Sequence, residues 1–266
     1  MKISLFQVDA FTDSLFSGNP AAVCLLSAWP NDEYLQKIAV ENNLSETAFL
    51  VPQGNGYQIR WFTPGTEVEL CGHATLASAH VLFNHLKHPH ETIEFYSLHS
   101  GLLKVTQNNG WLTLDFPKDE IQPALPPDGL IHAIGKKPLE IWRGKTDYLL
   151  FFASQEEIEE MAPDFRELVK VEARGIIVTA PGYETDFVSR FFCPQVGIDE
   201  DPVTGSAHTT LTPFWAHRLN QLEFEALQLS KRGGFIKCKL MGQRVLISGK
   251  AVTFFSTTID IGLDKG

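Results

Sequence analysis

A chain of 266 residues is about 1.8 times the usual length of one domain, so two domains or one large one is the expectation. Hydrophobic residues make up 44% and charged residues 20%, with 19 Phe and 5 Trp, which is ample material for a packed core and argues against a disordered chain. A net charge of −10 argues against nucleic acid or an anionic membrane surface as the main partner.

Lys2–Val8 and Ala21–Leu26 read as strands separated by a Ser-Gly-Asn-Pro turn at Ser17–Pro20. The apolar run at the N-terminus is broken by Gln7 and Asp9, so it does not read as a signal peptide. Asn31–Asn42 reads as a helix, with Asn31 as its cap and Leu35, Ile38 and Ala39 on one face. Strands follow at Thr47–Val51 and Tyr57–Phe62, then a helix over Gly72–Leu86. Three more strands are expected near Thr92–Ser97, Leu102–Thr106 and Trp111–Phe116, the last two joined by an Asn-Asn-Gly turn at Asn108–Gly110. The stretch from Gln122 to Gly129 is the richest in turn formers and reads as a linker between two halves.

Beyond it come strands near Leu139–Trp142 and Tyr148–Phe152, and a helix with a Ser154/Glu157 capping box. Strands near Gly175–Thr179 and Asp186–Phe192 lead to a second central helix from Ser206, and then to further strands. No segment reaches the ~18 apolar residues of a membrane helix. Cys24, Cys71, Cys193 and Cys238 stand far apart without a CxxC pair, which argues against a zinc ribbon and for a reducing, cytoplasmic compartment.

The chain repeats itself once. Arg60-Trp-Phe-Thr-Pro64 matches Arg190-Phe-Phe-Cys-Pro194, and Cys71-Gly-His-Ala-Thr75 matches Thr204-Gly-Ser-Ala-His208. Ile93-Glu-Phe95 then matches Leu222-Glu-Phe224, and Gly110–Leu114 resembles Gly242–Leu246. The four offsets lie between 129 and 133 residues, which points to a duplication. The expected fold class is α+β: two pseudo-symmetric domains, 1–120 and 130–266, each a barrel-like, mostly antiparallel sheet around a central helix. The last strand is free to return to the first half. The helix Gly72–Leu86 is small or apolar on nearly every face of its first three turns, as a helix wrapped by sheet should be. In the second helix, Pro213 must kink the backbone or leave a carbonyl unpaired.

Both central helices start just after an x-Gly turn, at Cys71-Gly72-His73 and Thr204-Gly205-Ser206. Leading helix amides have no internal partner and the dipole makes that end positive, so two such ends across a pseudo-dyad would form a cleft for a carboxylate. Ordinary helix starts satisfied by water are the simpler alternative. Asp201 heads the densest polar cluster of the second half, and Glu46 is a carboxylate entering an apolar strand. Either a solvated loop residue or a proton carrier fits Glu46. Cys71 could serve as a racemase thiol, but Thr204 occupies the pseudo-symmetric position, which argues against a two-cysteine mechanism. His85, His88 and His90 cluster at a helix end, where solvation is the simpler reading than metal binding. No GxGxxG, P-loop, GxSxG or HExxH motif occurs.

Asp9-Ala-Phe-Thr, Ser17-Gly-Asn-Pro-Ala-Ala-Val23, Asn43-Leu-Ser-Glu-Thr47, Phe62-Thr-Pro64, Cys71-Gly-His-Ala-Thr75 and Asp201-Pro-Val-Thr-Gly-Ser-Ala-His208 together resemble the phenazine-biosynthesis (PhzF-like) isomerase family. That family shares the diaminopimelate epimerase fold. The resemblance implies a glutamate, here Glu46, that shuttles a proton between carbons of a cyclic, amino-acid-like substrate. It implies assistance from His73 and Asp201, a serine at Ser206, and backbone amides at both helix starts holding the substrate carboxylate. It also implies that no metal or organic cofactor takes part. Cys71 departs from the phenazine enzyme and matches the thiol position of the epimerases.

The expectation is therefore a cofactor-independent isomerase of a small carboxylate. Glu46, His73, Asp201 and Ser206 are its catalytic candidates, and Gly72, His73, Gly205 and Ser206 its substrate-binding ones. A racemase using Cys71 and a non-catalytic binding protein are the alternatives. A homodimer is expected from the Phe-rich strands and the family habit.

Overall fold

The computed structural model describes residues 1–262. The chain divides into two compact units, Met1–Asp115 with the segment from Ser248 onward, and Phe116–Ile247. Its elements are β1 (Lys2–Ala10), β2 (Asn19–Leu25), α1 (Asp32–Asn42), β3 (Glu46–Gln53), β4 (Gly56–Phe62), β5 (Glu67–Val68), α2 (Gly72–Asn84), β6 (Thr92–Ser97), β7 (Gly101–Asn108) and β8 (Trp111–Pro117). They continue with β9 (Gln122–Pro123), α3 (Leu130–Ile134), β10 (Glu140–Arg143), β11 (Asp147–Phe151), α4 (Gln155–Glu159), α5 (Phe165–Leu168), β12 (Gly175–Pro181) and β13 (Phe187–Cys193). Last come β14 (Ile198–Glu200), α6 (Gly205–Leu219), β15 (Glu223–Gln228), β16 (Gly234–Met241), β17 (Arg244–Gly249) and β18 (Ala251–Asp260).

The two units use one pairing scheme. In the first, β1–β2 and β3–β4 are antiparallel, β2–β3 and β4–β6 parallel, and β6–β7 antiparallel. In the second, β10–β11 and β12–β13 are antiparallel, β11–β12 and β13–β15 parallel, and β15–β16 antiparallel. The central helix falls at the same point in each order, between the fifth and sixth strands of the scheme. β18 belongs to the first unit, where it runs antiparallel to β1.

The repeated Arg-aromatic-Phe motif does the same work twice. Arg60 grips Glu67 through Nε and Nη2, both at 2.7 Å, and lies over the Phe62 ring at 5.1 Å. Arg190 grips Glu200 at 2.7 and 3.0 Å and lies over Phe192 at 4.9 Å. Each forked pair fastens a short strand, β5 or β14, to the long strand before it. That strand leads into the central helix.

α2 is buried at every residue from His73 to Phe83, as a helix wrapped by sheet must be, and it packs on β1, β2, β3, β7 and β18. In α6, Pro213 lacks the N–H that would bond the Thr209 carbonyl. That carbonyl instead accepts from the Asp119 amide at 3.2 Å. The Asp119 carboxylate also takes the Thr210 hydroxyl (2.8 Å) and the Lys145 amide (3.1 Å), so the segment after β8 is tied to the helix at its weak point.

The capping residues read from the sequence are in place. The Asn31 side chain accepts from the Glu33 amide at 3.1 Å, and Glu157 accepts from the Ser154 amide at 3.2 Å. The boundary between the units falls at Asp115/Phe116, ahead of the turn-rich stretch. Gln122–Pro123 of that stretch pairs with β10. The short helices α3 and α5 and the two- or three-residue strands β5, β9 and β14 carry too little periodicity to be read from sequence.

His208 lies in the core of the second unit. Its Nδ1–H donates to the Thr204 carbonyl at 2.8 Å, while Nε2 is buried without a hydrogen-bond partner. Burial disfavours the imidazolium and holds its pKa down to about 4, against an ordinary value of 6.5. The unfolded chain therefore takes up this proton first, and the stability is lost as pH falls from 6.5 toward 4. Thermal melts of the wild type should drop over that window, with His208 contributing up to about 3 kcal/mol. His208→Gln should show a shallower slope.

Candidate active site

The site in the first unit is built at one end of a parallel strand pair. β2 and β3 run side by side with Ala21 opposite Glu46, so their first residues, Asn19 and Glu46, emerge at the same end. Two turns deliver them there. The Asp9 carboxylate is 2% exposed and accepts the Phe16 amide at 3.0 Å. Gly18 has φ +67°, and a Cβ there would sit 2.2 Å from the Ala10 carbonyl oxygen. On the other side α1 ends on a left-handed Asn43 (φ 48°), and Asn42 donates to the Thr47 hydroxyl at 3.1 Å, which fixes the strand start. α2 begins at the same place, with Cys71 extended ahead of it.

These elements bring four side chains together. His73 Nε2 lies 3.2 Å from Glu46 Oε2, with side chains 6% and 16% exposed. The two groups are close but not aligned for a hydrogen bond, and both atoms are buried without one. At the other edge of the ring, His73 Nδ1 meets Asn19 Nδ2 at 3.2 Å and Cys71 Sγ at 3.5 Å. Burial disfavours a charged His73, but the acidic groups on either side, Cys71 and Glu46, outweigh it and hold the imidazole well above its ordinary value. Burial, with the Glu46 charge, pushes the Cys71 thiol up to about 11.

An imidazolium carries hydrogens on both ring nitrogens. Nδ1 then needs an acceptor, which Asn19 offers with its amide turned over and Cys71 offers with its sulfur. Glu46, Cys71 and His73 also place ligand-type atoms within 4.8 Å of one another, and they are the one such trio among the described residues. The carboxylate and the thiol address opposite nitrogens of the ring, however. That suits the relay of a proton through the imidazole better than joint ligation of an ion.

The second unit holds its own polar cluster. Thr204 donates its hydroxyl to Asp201 Oδ2 at 2.5 Å. Buried Gln228 accepts the Thr204 amide at 2.8 Å and donates to the Asp201 carbonyl at 2.7 Å. The Ser206 hydroxyl accepts from Arg174 Nη2 at 3.3 Å. Neither central helix is capped by a side chain, and neither has an acid in its first turn. Cys71 is turned to His73 and Thr204 to Asp201, so the leading amides at Gly72 and His73, and at Gly205 and Ser206, are left to a ligand or water.

The structure thus joins Glu46, His73 and Cys71 in one cluster, and sets Asp201 beside Thr204 and Ser206 beside Arg174. Asn19 was legible only as part of a turn. Arg174 and Gln228 carried no sequence signal. His80 and His85 both bond the Thr253 hydroxyl, at 2.9 and 2.8 Å, and His85, His88 and His90 form no metal-type group among the described residues. No helix of the described residues is long and apolar enough to cross a membrane.

The phenazine biosynthesis-like protein family matches residues 8–257. An isomerase of Pseudomonas aeruginosa, described as uncharacterized, is 49% identical over 261 residues, covering 98% of this chain and 100% of its own. A PhzF-family phenazine biosynthesis protein from Enterococcus faecalis superimposes with a TM-score of 0.93 at 45% identity, over 98% of this chain and 100% of that one. A hydroxyproline epimerase from Agrobacterium vitis, at 10% identity and TM-score 0.62 over 97% and 92% of the two chains, shares the fold alone. The chain belongs to the phenazine biosynthesis-like family, with the α+β, epimerase-like fold. It is an isomerase.

Gly18→Ala tests how the turn holds Asn19. It should cost about 1–3 kcal/mol in denaturant unfolding, because the new Cβ meets backbone at a positive φ. It should also lower kcat by displacing the amide from His73.

Proposed function

We propose that this isomerase moves a proton between carbons of a small, amino-acid-like or cyclic carboxylate, with Glu46 as base and then acid and without a cofactor. The observation that carries the reading is the Glu46–His73 contact: a mostly buried carboxylate whose Oε2 accepts no hydrogen bond, 3.2 Å from an imidazole. Such an oxygen has an unspent lone pair for a C–H proton.

Glu46 takes the proton from one carbon. The bonding pair moves into the conjugated system of the substrate, and the protonated Glu46 returns the proton to a second carbon. His73 balances the charge of Glu46 before the transfer and holds the carboxyl in place after it. Amides at Gly72 and His73, and at Gly205 and Ser206, are assigned to the substrate carboxylate, where electron density builds up. Asp201, joined to the Thr204 hydroxyl, is assigned to a polar group of the substrate. The racemase reading places the base at Cys71 instead, but a thiol held at about 11 is scarcely ionised near neutral pH, so little of the thiolate base is present.

Candidate carboxylates incubated in D₂O and followed by proton NMR separate these readings. Glu46→Gln should slow C–H exchange roughly a thousandfold, the range of a lost general base, while Cys71→Ala keeps most of it. The reverse pattern would establish the thiol mechanism and overturn the proposal.

A further inference from the structure

Ser206 opens α6, and its hydroxyl accepts from Arg174 Nη2 at 3.3 Å. Arg174 is itself held from behind. Its Nε donates to Asp147 Oδ1 at 2.8 Å, and its Nη2 to Asp147 Oδ2. The Asp147 side chain is 2% exposed, whereas that of Arg174 is 40% exposed. The Arg174 amide bonds the Thr146 carbonyl at 3.3 Å, and its guanidinium lies 5.6 Å from the centre of the Phe191 ring. Gly175, next in the chain, lets that ring approach: a Cβ there would come within 2.1 Å of Phe191. Nη1 has no hydrogen-bond partner among the described residues.

A buried carboxylate that fixes a guanidinium fixes whatever the guanidinium touches. A hydroxyl that accepts from a cation cannot direct its own O–H back along that line, so the proton points elsewhere. The positive charge also polarises the O–H and makes it a stronger donor. We infer that Asp147 and Arg174 are positioning residues that aim the Ser206 hydroxyl, as a donor, at an anionic substrate group, and that they set the preference for a carboxylate over a neutral amide. This rests on the assignment of Ser206 to the substrate carboxylate. It adds to that reading a line of three groups, from core acid through guanidinium to hydroxyl, whose purpose is recognition of charge. A purely structural ion pair would fasten β11 to the residue before β12 and leave ligand preference alone.

Benzoate and benzamide, equal in shape and different in charge, serve as probes, with dissociation constants measured calorimetrically on the intact protein. The test variant is the double replacement Arg174→Met with Asp147→Asn, which avoids leaving a bare carboxylate in the core; Arg174→Lys keeps the charge but loses the fork. The wild type should prefer benzoate by at least tenfold. The double variant should lose that preference and Arg174→Lys should keep only part of it, with the fold verified by circular dichroism. No preference in the wild type, or a preference that survives in the double variant, would overturn the inference. Glu46→Gln should retain the benzoate preference. If Glu46→Gln also retained C–H exchange, the proton-transfer reading would fail while the role of Arg174 stood.

Discussion

The proposed chemistry depends on one contact, between a carboxylate and an imidazole that are both largely buried. Glu46 and His73 come within 3.2 Å because a parallel strand pair and the start of a buried helix converge there. In water such a pair would be worth little. Here Asn19 and Cys71 close the far edge of the ring, and the Cys71 and Glu46 groups outweigh burial and hold the imidazole well above its ordinary value. The Asp9–Phe16 hydrogen bond, the Gly18 turn and the Asn42–Thr47 tie have one shared effect, which is to keep that contact short.

Duplication supplied the frame, and divergence supplied the chemistry. Arg60 with Glu67 and Arg190 with Glu200 are the same clamp in both units, since both central helices need the same preceding strand. At the helix starts the two copies part. Cys71 and His73 face Glu46 in one, while Thr204 serves Asp201 and Ser206 meets Arg174 in the other. A scheme with two equivalent bases would call for like groups at like positions. Unlike groups favour the proposed single acid/base in the first unit and the inferred charge recognition in the second.

Much of this was legible in the sequence, for physical reasons. The buried helices could be read because a helix surrounded by sheet must be small or apolar on all faces, as Ala74–Val81 nearly is. The duplication showed in motifs whose residues do the same structural work twice. Glu46 and His73 could be named as candidates from the family resemblance, but their contact could not, because they stand 27 positions apart in the chain, with strands and turns between them. Arg174 was silent since an arginine before an apolar run looks like any exposed strand end. Its meaning lies in Asp147, a residue in a neighbouring parallel strand that no local pattern connects to it. Pro213 signalled a fault in α6, but the Asp119 amide that repairs it lies about ninety residues away in sequence.

Cys71 and Glu46 together hold the charge on His73, and the Glu46 share is the one the proposed chemistry uses. The most direct measurement is a pH titration of the His73 imidazole by NMR, in the wild type and in Glu46→Gln. The wild-type ring should remain an imidazolium well above the ordinary histidine range, and the variant should give up its proton at clearly lower pH. A ring that titrates like a free histidine in the wild type, or one indifferent to the loss of the carboxylate, would contradict the coupling on which the proposed chemistry stands.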